Sequence, residues 1–223
     1  MSPRRKLSDA RRRQILKAAV RVIAEKGLCD TGIKDVADQA GTSPALVIYY
    51  FGTKDTLLAE ALAFADERFY AETAEAVAGM SSARDRLVEL VRCSCSVGEA
   101  EDDFDEWVLW LDLWARAPRD PDVARDRQAM DRRWRATITE IVRQGQAAGE
   151  FSPIDADGFA LRLGALIDGL AIQVVLHDPE VTRERMFDLV LDTCARELGF
   201  SWTPEDRAAL THSRPKVGPL LGG

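Results

Sequence analysis

Side chains that could catalyse a reaction or hold a metal are scarce in this sequence and poorly placed for either. Gly41-Thr42-Ser43-Pro44-Ala45 is one residue short of the GxSxG nucleophile elbow, and it follows a predicted helix instead of a strand. The two histidines are His177 and His212, and His177 with Asp178 offers fewer ligands than a zinc site needs. The sequence contains neither a phosphate-binding glycine loop nor an HExxH motif. It therefore predicts no enzyme, no metal site and no cofactor.

Positive charge, by contrast, is concentrated at one end of the chain. The whole chain carries a formal charge of −7, yet residues 1–26 hold nine Lys or Arg against two acids, a net of +7. The remainder therefore carries −14. A basic segment on an acidic body is typical of a protein that binds a polyanion through a small part of its surface.

Helix caps and helix stops punctuate the chain, and no segment alternates with the period of a strand. We expect an all-α protein of about nine or ten helices. The predicted N-caps of the first four helices are Ser8, Thr31, Ser43 and Thr53, and the first three helices are predicted to end at Gly27, Gly41 and Gly52. Later helices are separated near residues 79–82, 120–121 and 149–153, and a last short helix opens at 203–206.

The second and third predicted helices have the spacing of a helix-turn-helix. They cover residues 33–40 and 44–51 and are joined by Gly41-Thr42-Ser43. An ordinary helical hairpin has the same spacing, but the basic first helix favours an element that enters the DNA major groove. We expect a DNA-binding domain at 1–52 with a basic arm, a helical effector-binding and dimerisation domain at 53–211, and a flexible tail at 212–223.

The residues of this first domain resemble a known family. Thr31-Gly32-Ile33-Lys34-Asp35-Val36-Ala37, Ala40-Gly41-Thr42-Ser43 and Tyr49-Tyr50-Phe51-Gly52-Thr53-Lys54-Asp55 look like the DNA-binding domain of TetR-type transcriptional regulators. Asp168-Gly169-Leu170 and His177-Asp178-Pro179 are similar to the BetI-like branch. The resemblance implies a homodimer, usually a repressor, that binds a palindromic operator and is released by a small-molecule effector. Gly32 stands where the family often has a hydroxyl, and Val47-Ile48 stands where Leu-Tyr is usual.

The third helix, Pro44 to Phe51, contains no Arg, Lys, Asn or Gln, so it cannot read guanine or adenine through bidentate hydrogen bonds. We expect Val47 and Phe51 to face the core, and Ala45 and Leu46 to contact thymine methyl groups. The other predicted DNA-binding residues are Arg4, Arg5, Lys34, Thr42, Ser43, Pro44, Tyr49, Tyr50 and Lys54. Lys54 matches the phosphate-contacting position of the family, whereas Arg4 or Arg5 would reach a minor groove unless the segment is a disordered tail.

Two wide apolar stripes near the C-terminus predict a four-helix dimer interface. Stripes of this width bury more than one helix face, so one side would pack internally and the other against a second copy. The predicted interface residues are Leu163, Leu166, Leu170, Val174, Phe187 and Leu191. The alternative is a purely internal helical hairpin.

Three tryptophans with helical spacing follow an acidic run at 101–106. An aromatic stripe of this kind is most often part of a core. The sharper hypothesis is an effector cavity that favours a cationic or amphipathic ligand. Its predicted lining residues are Phe104, Trp107, Trp110, Asp112, Trp114, Arg162 and Gln173.

Composition places the chain among soluble proteins. Its 223 residues are 46% hydrophobic and 30% charged, no apolar run reaches membrane length and no N-terminal signal segment is evident, so we expect a cytoplasmic protein without a membrane partner. Cys29, Cys93, Cys95 and Cys194 lack metal-site spacing and are expected as reduced, packed thiols. The alternative function is a helical small-molecule-binding protein or enzyme whose DNA-binding head is vestigial.

Overall fold

The computed structural model describes residues 3–95, 107–203 and 205–206, with side chains from residue 8 onwards. Within these ranges the chain forms nine helices and no strand, which confirms the all-α prediction. The helices are α1 Pro3–Lys26, α2 Ile33–Gln39, α3 Pro44–Phe51, α4 Lys54–Ala76, α5 Ala83–Ser94, α6 Trp107–Arg116, α7 Pro121–Ala147, α8 Ala156–Val175 and α9 Arg183–Leu198.

Two predicted N-caps were wrong. α1 begins at Pro3 rather than after Ser8, because proline is favoured in a first helical turn and no later residue interrupts the helix. Thr31 does not cap α2 either, since its hydroxyl donates to the Gly27 carbonyl at 2.7 Å. Gly32 occupies the N-cap, and its N–H donates to Asp35 Oδ2 at 2.8 Å. Asp35, three residues after the N-cap, therefore forms the half of a capping box that binds the N–H of the N-cap residue.

The ends of α3 and the start of α4 form as predicted. Ser43 Oγ accepts from the Leu46 N–H at 3.2 Å, and Pro44 fills the first helical position, where no donor is needed. Gly52 ends α3 with φ +74°, a left-handed conformation that glycine adopts without strain. Thr53 Oγ1 then accepts from the Thr56 N–H at 3.1 Å, which caps α4.

The chain divides into two compact units, one from residues 1–71 with 101–131 and the other from 72–100 with 132–223. In the first unit α1, α2, α3 and the start of α4 share a core with α6, which packs against α1. In the second unit α9 packs against both α8 and α5. The functional boundary predicted after residue 52 stays a prediction, and the predicted tail lies outside the described residues.

The cysteines are all free thiols, as predicted, but they are not all packed. Cys95 and Cys194 are buried, and burial raises the pKa of Cys95 to about 12 and raises that of Cys194 as well. Cys93 is half-buried. Cys29 is exposed, which corrects the prediction, because it lies in the short connection after α1 and not on a helix face.

α8 corrects the expectation that no segment reaches membrane length. By length and composition alone, Ala156–Val175 could cross a bilayer, although core helices of soluble proteins often pass the same test. Only 28% of its most apolar stretch is buried inside the chain. α8 therefore presents apolar surface that its own unit does not cover.

Candidate nucleic-acid interface

The turn between α2 and α3 is held by backbone hydrogen bonds. The Thr42 N–H donates to the Ala37 carbonyl at 2.9 Å, and the Gly41 N–H donates to the Asp38 carbonyl at 3.2 Å. Gly41 has φ +59°, which lets the chain reverse directly after α2. From outside the motif, Gln14 on α1 donates to the Ala40 carbonyl at 2.9 Å. The start of α3 is thus fixed relative to α1 and α2.

The inner face of α3 is anchored in the core, as predicted. Val47 is 0% exposed and Phe51 is 5% exposed. The Arg12 guanidinium lies 5.1 Å from the centre of the Phe51 ring and forms an ion pair with Glu60 of α4. α3 therefore cannot rotate about its axis without breaking the contact between Phe51 and Arg12 of α1.

The outer face of α3 is apolar and open to solvent. Tyr49 is 79% exposed and Ile48 is 43% exposed. Ala45 is exposed too, whereas Leu46 and Tyr50 are half-buried. Tyr50 packs against the core and meets Tyr49 edge-on, with ring centres 5.4 Å apart. Sequence reasoning missed the exposure of Ile48, because neighbouring residues on a helix do not alternate between a buried and an exposed face.

The predicted phosphate-binding residues differ in their exposure and in the contacts that they make within the protein. Lys34 and Ser43 are exposed, and Thr42 is half-buried. Lys54 donates from Nζ to the Cys29 carbonyl at 3.0 Å, so it joins the start of α4 to the end of α1 while keeping two N–H donors for other acceptors. These placements leave the predicted DNA contacts untested.

The structure describes only the backbone of the predicted basic arm, and it exposes Pro44. Arg4 and Arg5 lie within the backbone of α1, and their side chains are outside the described residues. Pro44 is exposed at the first position of α3. The arm is therefore a continuation of the first helix and not a separate extended segment.

An ion pair joins the end of α1 to the first turn of α2. Lys26 Nζ is 2.7 Å from Asp35 Oδ1. The hydrogen bond from Lys26 is the main cause that lowers the pKa of Asp35 below its usual value, and the hydrogen bond from the Gly32 N–H adds to it. The hydrogen bond between Lys26 and Asp35 also raises the pKa of Lys26. α2 therefore presents a charge-balanced pair here rather than a bare carboxylate.

Asp112 binds the backbone at the corner that follows α1. Its Oδ2 accepts from the Leu28 N–H at 2.7 Å, at the corner that follows α1. Gly27 makes that corner with φ +82°, and a Cβ there would lie 3.4 Å from the same carboxylate oxygen. α6 is thus tied directly to the end of the first helix.

The other predicted effector residues are dispersed. Trp114 lines a cavity of about 360 Å³ with Ala117, Pro118, Ala124, Arg127 and Gln128. Trp107 is half-buried, with its ring centre 6.4 Å from that of Trp114, and Trp110 packs against the core of the first unit. Phe104 lies outside the described residues.

Arg162 and Gln173 line neither the cavity beside Trp114 nor a second one next to Leu58 and Leu113. Both side chains are exposed on α8, and Arg162 pairs with Glu197 of α9 at 2.5 Å. A second cavity of about 280 Å³ has an apolar floor that includes Leu58 and Leu113, and its rim carries the carboxylates of Asp55, Asp120, Asp122 and Asp126 together with Arg116.

The predicted dimer residues fall into two groups. Leu163, Phe187 and Leu191 are buried within the core of their own chain, because they lie on the faces where α8 and α9 pack. Leu166, Leu170 and Val174 are half-buried. The most exposed apolar residues of this region are instead Leu161 and Leu176, at 57% and 67%.

Two sequence profiles match this chain. Residues 15–61 match the bacterial regulatory proteins of the tetR family, and residues 83–199 match the C-terminal domain of BetI-type transcriptional repressors. Among individual relatives, the HTH-type transcriptional regulator BetI of Rhizobium meliloti is 29% identical over 85% of this chain and 90% of its own length. BetI of Brucella anthropi is 26% identical over 88% of this chain and 97% of its own length.

Solved structures agree with these profiles. A protein from Saccharomonospora viridis assigned as a transcriptional regulator, in complex with choline, has a TM-score of 0.77 and 34% identity. The match covers 86% of this chain and 98% of that one. A TetR-family protein from Rhodococcus has a TM-score of 0.73 and 28% identity, covering 84% of this chain and 98% of its own.

Proposed function

We propose that this chain, which belongs to the TetR family of transcriptional regulators and carries a BetI-type C-terminal domain, binds a palindromic operator as a homodimer and is released by an organic cation. The observation that supports DNA binding best is the outer face of α3. Ile48 and Tyr49 are exposed to water although they are large and largely apolar, while Val47 and Phe51 hold the helix from behind. A helix so fixed and so exposed is suited to the major groove.

Binding to the backbone would come from the side chains around α3. Lys34 and Lys54 supply positive charge, and the hydroxyls of Thr42, Ser43 and Tyr49 supply hydrogen bonds to phosphate oxygens. The Lys26–Asp35 pair compensates the negative charge of Asp35 at the start of α2. The side chains of Arg4 and Arg5 would extend the basic surface along the DNA.

Salt dependence tests this part of the proposal with any duplex. The logarithm of the association constant should fall linearly with the logarithm of salt concentration, because bound lysines and arginines release counterions from DNA. Fluorescence anisotropy with a labelled random-sequence duplex at four salt concentrations measures the slope. Binding that is absent at low salt would contradict the proposal and favour a helical ligand-binding protein with a vestigial head.

A line of residues along α8, exposed except for the half-buried Ile172, supports a homodimer. Leu161, Ala165, Gly169, Ile172 and Leu176 are spaced four, four, three and four residues apart, so they follow one side of the helix. Small residues in the middle of the line permit close approach of a second helix. We propose that this line, with the half-buried Leu166, Leu170 and Val174, replaces the buried residues Leu163, Phe187 and Leu191 in the predicted interface.

Sedimentation velocity tests the dimer. The wild-type chain should sediment with twice the 24.7 kDa chain mass, whereas Leu161→Glu combined with Leu176→Glu should sediment as a monomer. Ala129→Glu, at an exposed position of α7, is the matched control and should remain dimeric. A dimer that survives the double substitution would place the interface elsewhere.

The proposal of a cationic effector is supported by the choline bound to the Saccharomonospora relative. In this chain Trp107 and Trp114 lie close together, and Trp114 lines a cavity large enough for a small ligand. An indole face attracts a quaternary ammonium through its quadrupole. Because Asp112 is bonded to Leu28, we assign it no contact with the effector.

Intrinsic tryptophan fluorescence tests the charge preference. Choline should change the emission in a saturable way, whereas 3,3-dimethyl-1-butanol, its neutral isostere, should do so only at much higher concentration. Choline should also weaken operator binding in the anisotropy assay. Equal responses to the two compounds would remove the cationic effector from the proposal.

A further inference from the structure

From the geometry of α3, we propose that Ile48 reads the C5 methyl group of a thymine in each operator half-site and accepts 5-methylcytosine in its place. This inference rests on the operator binding proposed above. Cytosine methylation would therefore change the affinity only for an operator that carries cytosine at the position facing Ile48.

The outer face of α3 has almost no hydrogen-bonding groups with which to read bases. Ala45, Leu46 and Ile48 carry hydrocarbon side chains, and the Ser43 hydroxyl already accepts from the Leu46 N–H. The Tyr49 hydroxyl is the remaining polar group of this face. Selection of a base by this surface must therefore depend mainly on apolar contact and on DNA shape.

The apolar side chains on the outer face of α3 are exposed to solvent. Of the four large hydrophobic side chains that are exposed in the described part of the chain, Ile48 and Tyr49 are adjacent on this short helix. The other two, Leu161 and Leu176, belong to the line on α8. An exposed apolar patch of this kind marks an interaction site.

Charge identifies the partner of this patch. Lys34 on α2 and Lys54 on α4 belong to the helices that precede and follow α3, and Lys26 pairs with Asp35 in the first turn of α2. A hydrocarbon centre with lysines on the flanking helices complements a major groove, whose floor carries thymine methyls and whose edges carry phosphates.

The side chain at position 48 is also stiff. Isoleucine is β-branched, so a helix restricts it to essentially one rotamer about its first side-chain bond. The neighbouring Val47 is fully buried and Phe51 lies under Arg12, so the backbone that carries Ile48 is held as well. Little conformational freedom remains to be lost when the methyl contact forms.

The affinity gained from a hydrocarbon contact depends on the C5 methyl group and not on the hydrogen-bonding groups of the base. Thymine and 5-methylcytosine carry a methyl at the same C5 position of the major groove, whereas cytosine and uracil carry hydrogen there. Burying one methyl contributes ~0.8 kcal/mol, which corresponds to about a fourfold change in dissociation constant for each half-site. Symmetric substitution in both half-sites should therefore change the affinity about fifteenfold.

The experiment uses the full-length protein and an operator selected from a random duplex library. Each thymine pair of the half-sites is replaced in turn by deoxyuridine, and dissociation constants are measured at one salt concentration. One symmetric position should weaken binding about fifteenfold. At that position a 5-methylcytosine·guanine pair should bind more tightly than a cytosine·guanine pair by a similar factor.

Variants at position 48 assign the effect to this residue. Ile48→Val keeps a branched hydrocarbon and should retain most of the preference for thymine over uracil, whereas Ile48→Ser, which carries no methyl group, should lose it. An enriched operator with equal affinity for thymine and uracil at every position would overturn the inference while leaving operator binding intact. A preference that survives in Ile48→Ser would overturn the assignment to Ile48. Failure to enrich any operator would overturn both proposals.

Discussion

Replacing Asp112 by alanine should destabilise the corner between α1 and α2. Asp112 Oδ2 accepts from the Leu28 N–H at 2.7 Å, and Leu28 is only 1% exposed. The substitution leaves the buried Leu28 N–H without an acceptor. Loss of a hydrogen bond to a charged group, which leaves a buried donor unsatisfied, lowers the free energy of unfolding by about 1.5–3 kcal/mol. We expect the free energy of unfolding to fall by about 2 kcal/mol.

Urea denaturation followed by circular dichroism measures this change. The midpoint should fall at an unchanged slope, and the melting temperature should drop by roughly 4–8 °C for a chain of this size. Asp112→Asn keeps an oxygen acceptor but loses the charge, so its destabilisation should be about half as large.

Glu25→Ala provides the matched control in the same unit. Glu25 forms an exposed i,i+4 pair with Arg21, and pairs of this kind contribute about 0.3–0.5 kcal/mol. The reasoning would be refuted if Asp112→Ala were no less stable than Glu25→Ala. The bond to Leu28 would then make no net contribution to stability.

Glu150 accepts from the Ser82 hydroxyl and from the backbone N–H groups of Arg84 and Ala83, which lowers its pKa, so its stabilisation is present above about pH 4.5 and lost as the pH falls through the lowered value. Glu150→Gln should therefore lower the unfolding free energy at pH 7 and approach the wild-type value at pH 3, and an equal difference at both pH values would contradict this. Lys54→Met should reduce the slope of log affinity against log salt by about 1 for each half-site, provided that Lys54 contacts phosphate; an unchanged slope would show that it serves only the Cys29 carbonyl. A maleimide should modify Cys29 in the native protein but reach Cys194 only after unfolding, as peptide mapping would show, and rapid native modification of Cys194 would contradict its burial.

Features set by neighbouring residues were predictable from the sequence. α3 starts and ends where Ser43-Pro44 and Gly52 predict, because capping and a left-handed glycine act within a few residues. The same logic failed at Ser8, since a good capping residue does not start a helix when Pro3 can start it earlier and nothing interrupts the turns between.

Features that depend on distant residues were not predictable in this way. Asp112 and Leu28 are 84 positions apart, and the carboxylate was assigned to an effector cavity because its local sequence is aromatic and acidic. Periodicity likewise revealed apolar stripes on α8 and α9 but not which side the chain itself would cover. Leu163 and Leu191 were therefore predicted at an interface, although the contact between these helices buries both.

Selection from a random duplex library tests the central claim most directly. The purified protein is mixed with the library at one near-physiological salt concentration, bound DNA is amplified, and the enriched site is titrated at several salt concentrations. The account predicts an inverted repeat whose half-site centres lie roughly 34–36 Å apart, bound with a steep salt dependence. Failure to enrich any site, both in the absence and in the presence of choline, would contradict it.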